Sequence, residues 1–195
     1  MYNSAMESYL CPYCSVRLDT FESLKAHVLA LHSTEPLPLP DGVIRLTING
    51  QPYQLHVEPE WTLYHLVHDR LGLIGTKMFC DRGACGSCTV ILDRRPVLSC
   101  MILAIECNSK TIETIEGIAV DGHPLIDAYI KHHALQCGYC TPGFIVTAKA
   151  LLAHNPDPTE DEIKEALAGN LCRCGTYPQH PKAILEAAQV LMEGE

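Results

Sequence analysis

The spacing of apolar positions changes period along the chain, and each period predicts its own elements. From Val43 the pattern alternates. Ile44, Leu46 and Ile48 share one face of a strand, Asn49-Gly50 signals a tight turn, and Tyr53, Leu55 and Val57 continue on a return strand. Thr62 is placed to cap a helix with the apolar stripe Leu63, Leu66, Val67 and Leu71, and Gly72 ends it. A glycine- and cysteine-rich loop over 75–88 precedes two strand-like runs, 89–92 and 111–115. After Asp121-Gly122-His123-Pro124 the period becomes helical. Ile126, Tyr129 and Ile130 mark a short helix, Thr141-Pro142 starts a second that reaches about His154, and Asn155-Pro156-Asp157-Pro158 breaks it. Thr159 and Glu162 form a capping box for a third helix, to about Ala168. Pro181 opens a fourth, with Ile184, Leu185, Ala188 and Leu191 on one face. Upstream, Pro36-Leu37-Pro38-Leu39-Pro40 reads as a stiff polyproline spacer. The expected architecture is α+β: a small module over 1–35, a linker over 36–42, a mostly β domain over 43–120 and a helical domain over 121–195.

Composition narrows the classes. A chain of 195 residues with 47% hydrophobic and 19% charged side chains folds, and its net charge of -9 argues against a general nucleic-acid binder. No apolar run approaches the roughly 20 residues that cross a bilayer. The N-terminus has neither a basic start nor an apolar core, so no export signal is expected and the expected compartment is the cytoplasm. In that setting eleven cysteines point to metal rather than disulfides. They fall into one pair, two sets of four and a leftover, Cys107.

Cys80, Cys85 and Cys88 have the C-x4-C-x2-C spacing of a plant-type [2Fe–2S] site, with Cys100 as the fourth thiolate. Gly83 and Gly86 would let the loop turn with positive φ and aim amides at the sulfurs. A four-cysteine zinc site is the plainer alternative, less suited to the long first spacing and the glycines. Cys137, Cys140, Cys172 and Cys174 make the second set. The first pair opens the helix at Pro142, where the dipole favours thiolates, and the second lies in the turn between the third and fourth helices. Spacing alone separates iron from zinc less sharply here.

The stretches GTKMFCDRGACGSCTV at 75–90, QCGYCTPG at 136–143 and GNLCRCGTY at 169–177 resemble the small iron–sulfur subunit of the molybdenum hydroxylases, the family of xanthine dehydrogenase, aldehyde oxidoreductase and carbon monoxide dehydrogenase. The resemblance spans about 43–190. It implies a β-grasp plant-type ferredoxin domain followed by a four-helix domain, each with one [2Fe–2S] cluster, and an electron-transfer subunit without substrate chemistry of its own. Electrons would pass from the molybdopterin dinucleotide of a large catalytic subunit through both clusters to an FAD subunit or another acceptor. It also implies that Gln136 hydrogen-bonds the molybdenum cofactor and that the sulfur of Cys174 is the ligand nearest the pterin. Two residues depart from the family pattern: Phe79, where glycine is usual, and Ser87, where alanine is commoner. Phe79 is expected to alter packing or solvent access. Ser87 is expected either to bond a sulfur or to sit in a surface loop.

Cys11, Cys14, His27 and His32 have the spacing of a two-cysteine, two-histidine finger and predict a zinc-bound ββα module, with Tyr9, Leu18 and Leu24 at its packing positions. Its base-reading positions would hold Thr20, Ser23 and Ala26, none suited to a bidentate base contact, and residues 1–35 carry net -2. Docking or a structural role is expected rather than DNA reading. A stand-alone redox carrier or sensor that docks through the finger is the alternative to the hydroxylase subunit. Cys107 is expected to be a buried thiol. His65, His68, His132 and His133 are expected at the surface.

Overall fold

Thr20 turns the chain into its first helix. Its hydroxyl accepts from the Ser23 amide at 3.1 Å, and α1 runs Phe21–Leu31. Ahead of it β1 (Tyr9–Leu10) and β2 (Arg17–Leu18) pair antiparallel, with Tyr9 opposite Leu18. The computed structural model describes residues 8–32 and 41–194 and divides into two units, Met1–Asp41 and Gly42–Glu195. The spacer at 36–40 lies outside the described residues. Among the described residues of the first unit only Cys11 is buried, and α1 buries none of its side chains. A fold this small with no apolar centre needs another source of cohesion.

In the second unit β3 (Val43–Ile48) and β4 (Gln51–His56) form the expected hairpin, with Asn49 and Gly50 both at positive φ, the backbone of a two-residue turn. Ile44, Leu46 and Ile48 are buried, as their alternation requires. The hairpin joins β5 (Thr89–Leu92), β6 (Arg95–Leu98) and β7 (Thr111–Glu113) in a five-stranded sheet of order β4-β3-β7-β5-β6, with β3 and β7 parallel. The helix expected after Thr62 lies over this sheet and buries Leu63, Leu66 and Val67 against Ile112 and Val90. Over His65–Arg70 it is π-helical: the Leu71 amide reaches the Leu66 carbonyl at 3.1 Å, one residue beyond α spacing.

The run 111–115 is not all strand. The Asn49 side chain takes the Thr114 amide at 2.9 Å and donates to its hydroxyl at 3.0 Å, which ends the ladder, and the chain turns into α2 (Ile115–Val120). Ile118 of α2 belongs to the core of the helical part, although its sequence position falls in the 43–120 segment.

That part comprises α3 (Leu125–Lys131), α4 (Thr141–His154), α5 (Glu160–Ala166) and α6 (His180–Glu193). The capping box at α5 is complete, with Glu162 N to Thr159 Oγ1 at 3.3 Å and Thr159 N to Glu162 Oε2 at 2.7 Å. In α3 the buried residues are Leu125, Ala128 and Tyr129, while Ile130, one of the residues that mark the helix, faces solvent. Ile91 of β5 packs into the helical core, and Lys149 of α4 pairs with Glu113 of β7, so helices and sheet share an interface.

Candidate metal centres

The loop between the π-helical turn and β5 carries the first set of cysteines. Gly83 and Gly86 have φ of +71° and +74°, and the Ala84 amide donates to Cys80 Sγ at 3.2 Å. Cys100 sits on the short turn Ser99–Met101 beyond β6, and its sulfur lies 3.4 Å from that of Cys88. The Cys85 thiol also acts on Cys80 to lower it, so these two cysteines are neighbours in the loop. Cys85, Cys88 and Cys100 are buried and Cys80 is half-buried. Burial, with the neighbouring Cys100, pushes the Cys88 thiol up to about 12. Burial also acts to raise Cys80, but the amides of Arg82 and Ala84 outweigh it and bring that thiol down to about 7.

The second set spans two loops. Cys140 stands at the N-cap of α4, where the first-turn amides and the helix dipole favour negative charge. Cys172 and Cys174 lie between α5 and α6. Cys140 and Cys172 are neighbours across the two loops, and each acts on the other's thiol. Burial, then the neighbouring Cys172 thiol, pushes Cys140 up to about 12. Burial opposes the Cys172 thiolate, yet the Thr176 hydroxyl at 3.1 Å and nearby amides bring it down to about 7. Cys172 is buried and Cys140 half-buried, whereas Cys137, Cys174 and Gln136 are exposed.

The two ligand loops touch. Leu171 N donates to Cys85 O at 2.9 Å, and Asn170 Nδ2 donates to Gly86 O at 3.1 Å. Thr147 of α4 steadies the Asn170 amide with a 3.1 Å bond, and Tyr139 Oη donates to Met78 O at 2.6 Å. Both glycines at this contact are sterically required. A Cβ on Gly86 would lie 2.6 Å from Gly169 O, and one on Gly143 would lie 2.3 Å from Gly86 O. None of these bridging residues is visible from spacing. Asn170 and Tyr139 stand inside the motifs, but nothing in the motifs says what they bond.

Cys11, Cys14, His27 and His32 are brought together. Their ligand atoms all lie within 4.8 Å of one another, with Cys14 Sγ 3.2 Å from His27 Nε2. Among the described residues this is the group that closes around one point. The donor set and spacing fit a single tetrahedral ion, whereas the all-cysteine sets, one of them with the C-x4-C-x2-C loop and its Cys88 and Cys100 sulfurs 3.4 Å apart, fit two-iron centres.

The remaining expectations divide. Cys107 is fully buried, and burial raises its thiol to about 11. Ser87 is 4% exposed, so the surface-loop expectation fails: the cluster loop folds inward there, and Ser87 O accepts from the Lys77 amide. Phe79 is 79% exposed beside Cys80, so it adds no packing. Two histidines expected at the surface are half-buried instead. His68 stacks on Tyr64 at 4.8 Å and bonds Thr76 O at 2.7 Å, and His132 meets Glu186 Oε2 at 2.7 Å.

Comparison with known proteins follows the same division. Residues 46–109 match a 2Fe-2S iron–sulfur cluster binding domain and residues 114–185 a [2Fe-2S] binding domain. The nicotinate dehydrogenase small FeS subunit of Eubacterium barkeri is 45% identical over 148 residues, 75% of this chain and 94% of that protein. The 6-hydroxypseudooxynicotine dehydrogenase complex subunit beta of Paenarthrobacter nicotinovorans is 46% identical over 152 residues, 75% of this chain and 94% of that protein. A chain of quinoline 2-oxidoreductase from Pseudomonas putida 86 superposes with a TM-score of 0.75 at 43% identity, covering 78% of this chain and 97% of that one. The chain belongs to the small iron–sulfur subunits of the molybdenum hydroxylases.

Proposed function

We propose that Cys80, Cys85, Cys88 and Cys100 hold one [2Fe–2S] cluster and that Cys137, Cys140, Cys172 and Cys174 hold the second. When bound, the clusters supply single-electron redox chemistry, and the chain carries electrons between a molybdopterin-bearing large subunit and an FAD subunit or other acceptor. The observation that carries this reading is the hydrogen bond from Leu171 N to Cys85 O, which leaves Cys85 and Cys172 one backbone contact and one residue apart. Two centres so joined serve relay rather than independent structural roles. The exposed sulfurs of Cys137 and Cys174, with exposed Gln136 beside them, support a second centre that faces the pterin of the large subunit, Gln136 donating its amide and Cys174 presenting the nearest sulfur. Half-buried Cys80 marks the edge of the first centre that faces the outgoing acceptor. The β-grasp domain over 43–120 and the four-helix domain over 121–195 are the carriers, and the packing of Ile118 with the helices supports a junction nearer 114.

The first module we read as a zinc finger. Its four donors surround one point and the one buried residue among its described residues is a donor, so the metal takes the place of a core. Its exposed Leu10, Phe21, Leu29 and Leu31, with the acidic balance of 1–35, favour protein docking over phosphate contacts. We also infer a cytoplasmic location, because cysteines that serve as thiolate ligands suit a reducing compartment.

Metal analysis of the protein purified with its partners tests these assignments. The expected content is about four iron, about four sulfide and about one zinc per chain, with two paramagnetic signals after dithionite and a molybdenum-containing polypeptide in the same fraction. Zinc without iron would overturn the cluster assignment, and iron without zinc would overturn the finger.

A further inference from the structure

Behind Cys172 runs a chain of hydrogen bonds that the cluster reading does not require. Cys172 Sγ lies 3.1 Å from Thr176 Oγ1, and Thr176 Oγ1 lies 3.1 Å from His180 Nε2, three side chains at successive spacings of four residues. Thr176 is buried and His180 is 1% exposed. The imidazole is stacked on Phe144 at 4.0 Å with 10° between the planes, and Tyr129 packs 5.5 Å away, so its orientation is fixed by packing. Its other nitrogen, Nδ1, is buried and has no hydrogen-bond partner among the described residues.

These facts set the direction of every proton in the chain. A cysteine sulfur bound to iron has no proton and only accepts. The Thr176 hydroxyl must therefore donate to Cys172 Sγ, which leaves its oxygen to accept. The partner of that oxygen, Nε2 of His180, must carry the N–H. The unpartnered Nδ1 is then a bare lone pair, a better-tolerated burial than a stranded N–H. Desolvation keeps the ring neutral, its pKa lowered to about 4, so a single N–H is available and it points at Thr176.

We propose that His180 is a positioning residue: by donating from Nε2 to the Thr176 hydroxyl it locks that hydroxyl's proton onto the Cys172 sulfur and so raises the reduction potential of the helical-domain cluster. The proposal rests on Cys172 being a ligand of that cluster. Reduction adds negative charge that spreads onto the sulfurs, and a donor aimed at one of them favours the reduced state. Without His180 the hydroxyl is free to rotate towards other acceptors, and the sulfur keeps its donor only part of the time.

The test is a redox titration of the intact complex followed by paramagnetic resonance, with the ferredoxin-domain cluster as internal reference. His180→Phe keeps the stack on Phe144 and removes the donor. The expected result is a lower midpoint for the helical-domain cluster, roughly a tenfold change in the reduced-to-oxidised ratio or about 59 mV, with the other cluster unmoved. Thr176→Val is expected to shift it in the same direction and Thr176→Ser to restore it. Adding His180→Phe to Thr176→Val is expected to shift it no further, because the histidine acts through that hydroxyl. An unmoved midpoint in His180→Phe, equal shifts of both clusters, or additive shifts in the double variant would overturn the proposal. If His180→Phe does not assemble, nitrogen-15 spectra of histidine-labelled wild-type protein decide: Nε2–H is required, and Nδ1–H excludes the relay. A wild-type chain with no helical-domain signal would instead remove the ligand reading, and the relay with it.

Discussion

The two four-cysteine sites use the same donors and present them differently. In the ferredoxin loop three of the four sulfurs are buried and only Cys80 is half-open, whereas in the helical part Cys137 and Cys174 are exposed and only Cys172 is buried. The first site is wrapped by one continuous loop closed by Cys100. The second is made where two inter-helical loops meet, and such a meeting leaves one side bare. A chain that relays electrons gains from this contrast: the bare side can lie against a partner's cofactor, and the wrapped side keeps solvent from the centre that follows. The difference also locates the fragile element, because the second site depends on two loops holding station against the first.

Gly143→Ala attacks that dependence directly. Its Cβ would lie 2.3 Å from Gly86 O, a backbone atom that cannot swing aside. A loss of about 3 kcal/mol of stability or more is expected from overpacking there, read as a lowered midpoint of thermal unfolding, with the helical-domain signal weakened before the ferredoxin one. Unchanged signals and stability would mean that the loops do not need their close approach.

Acid separates the two sites next. Burial lowers the His180 pKa to about 4 in the folded chain, against its ordinary 6.5 when unfolded. Between those values the unfolded state binds more protons, so stability falls as pH drops from 6.5 towards 4 and falls no further from this source below it. The full effect is about 3 kcal/mol and belongs to the helical core. Denaturant titrations at pH 7 and pH 5 check it, and a stability independent of pH over that window would contradict it.

The smallest effect is expected from Tyr139→Phe, which deletes the 2.6 Å bond to Met78 O and leaves the ring in place. About 1 kcal/mol should be lost, together with a faster exchange of the Met78-side amides in hydrogen-exchange measurements. An unaltered exchange pattern would show that the two loops are held by Leu171 and Asn170 alone.

How much of this was legible beforehand depends on the range of the interaction. The cysteine spacings, the positive-φ glycines, the Asn49-Gly50 turn and the Thr159 capping box are local, and the chain displays them directly. The π-helical step at His65–Arg70 was not readable, because its apolar stripe also suits an α-helix. The end of β7 depends on Asn49, 65 residues away, so the run 111–115 looked like unbroken strand. The loop-to-loop contacts join residues 84 and 86 positions apart, Asn170 to Gly86 and Leu171 to Cys85. His180 belongs to no pattern and becomes informative only once Thr176 and Phe144 surround it.

The bond from Leu171 to Cys85 joins one main-chain amide to one main-chain carbonyl. Substitutions that keep the amide therefore leave the connection intact. The side chain at position 171 can change without loss of this bond, so the spacing of the two cysteine loops is a property of the peptide framework.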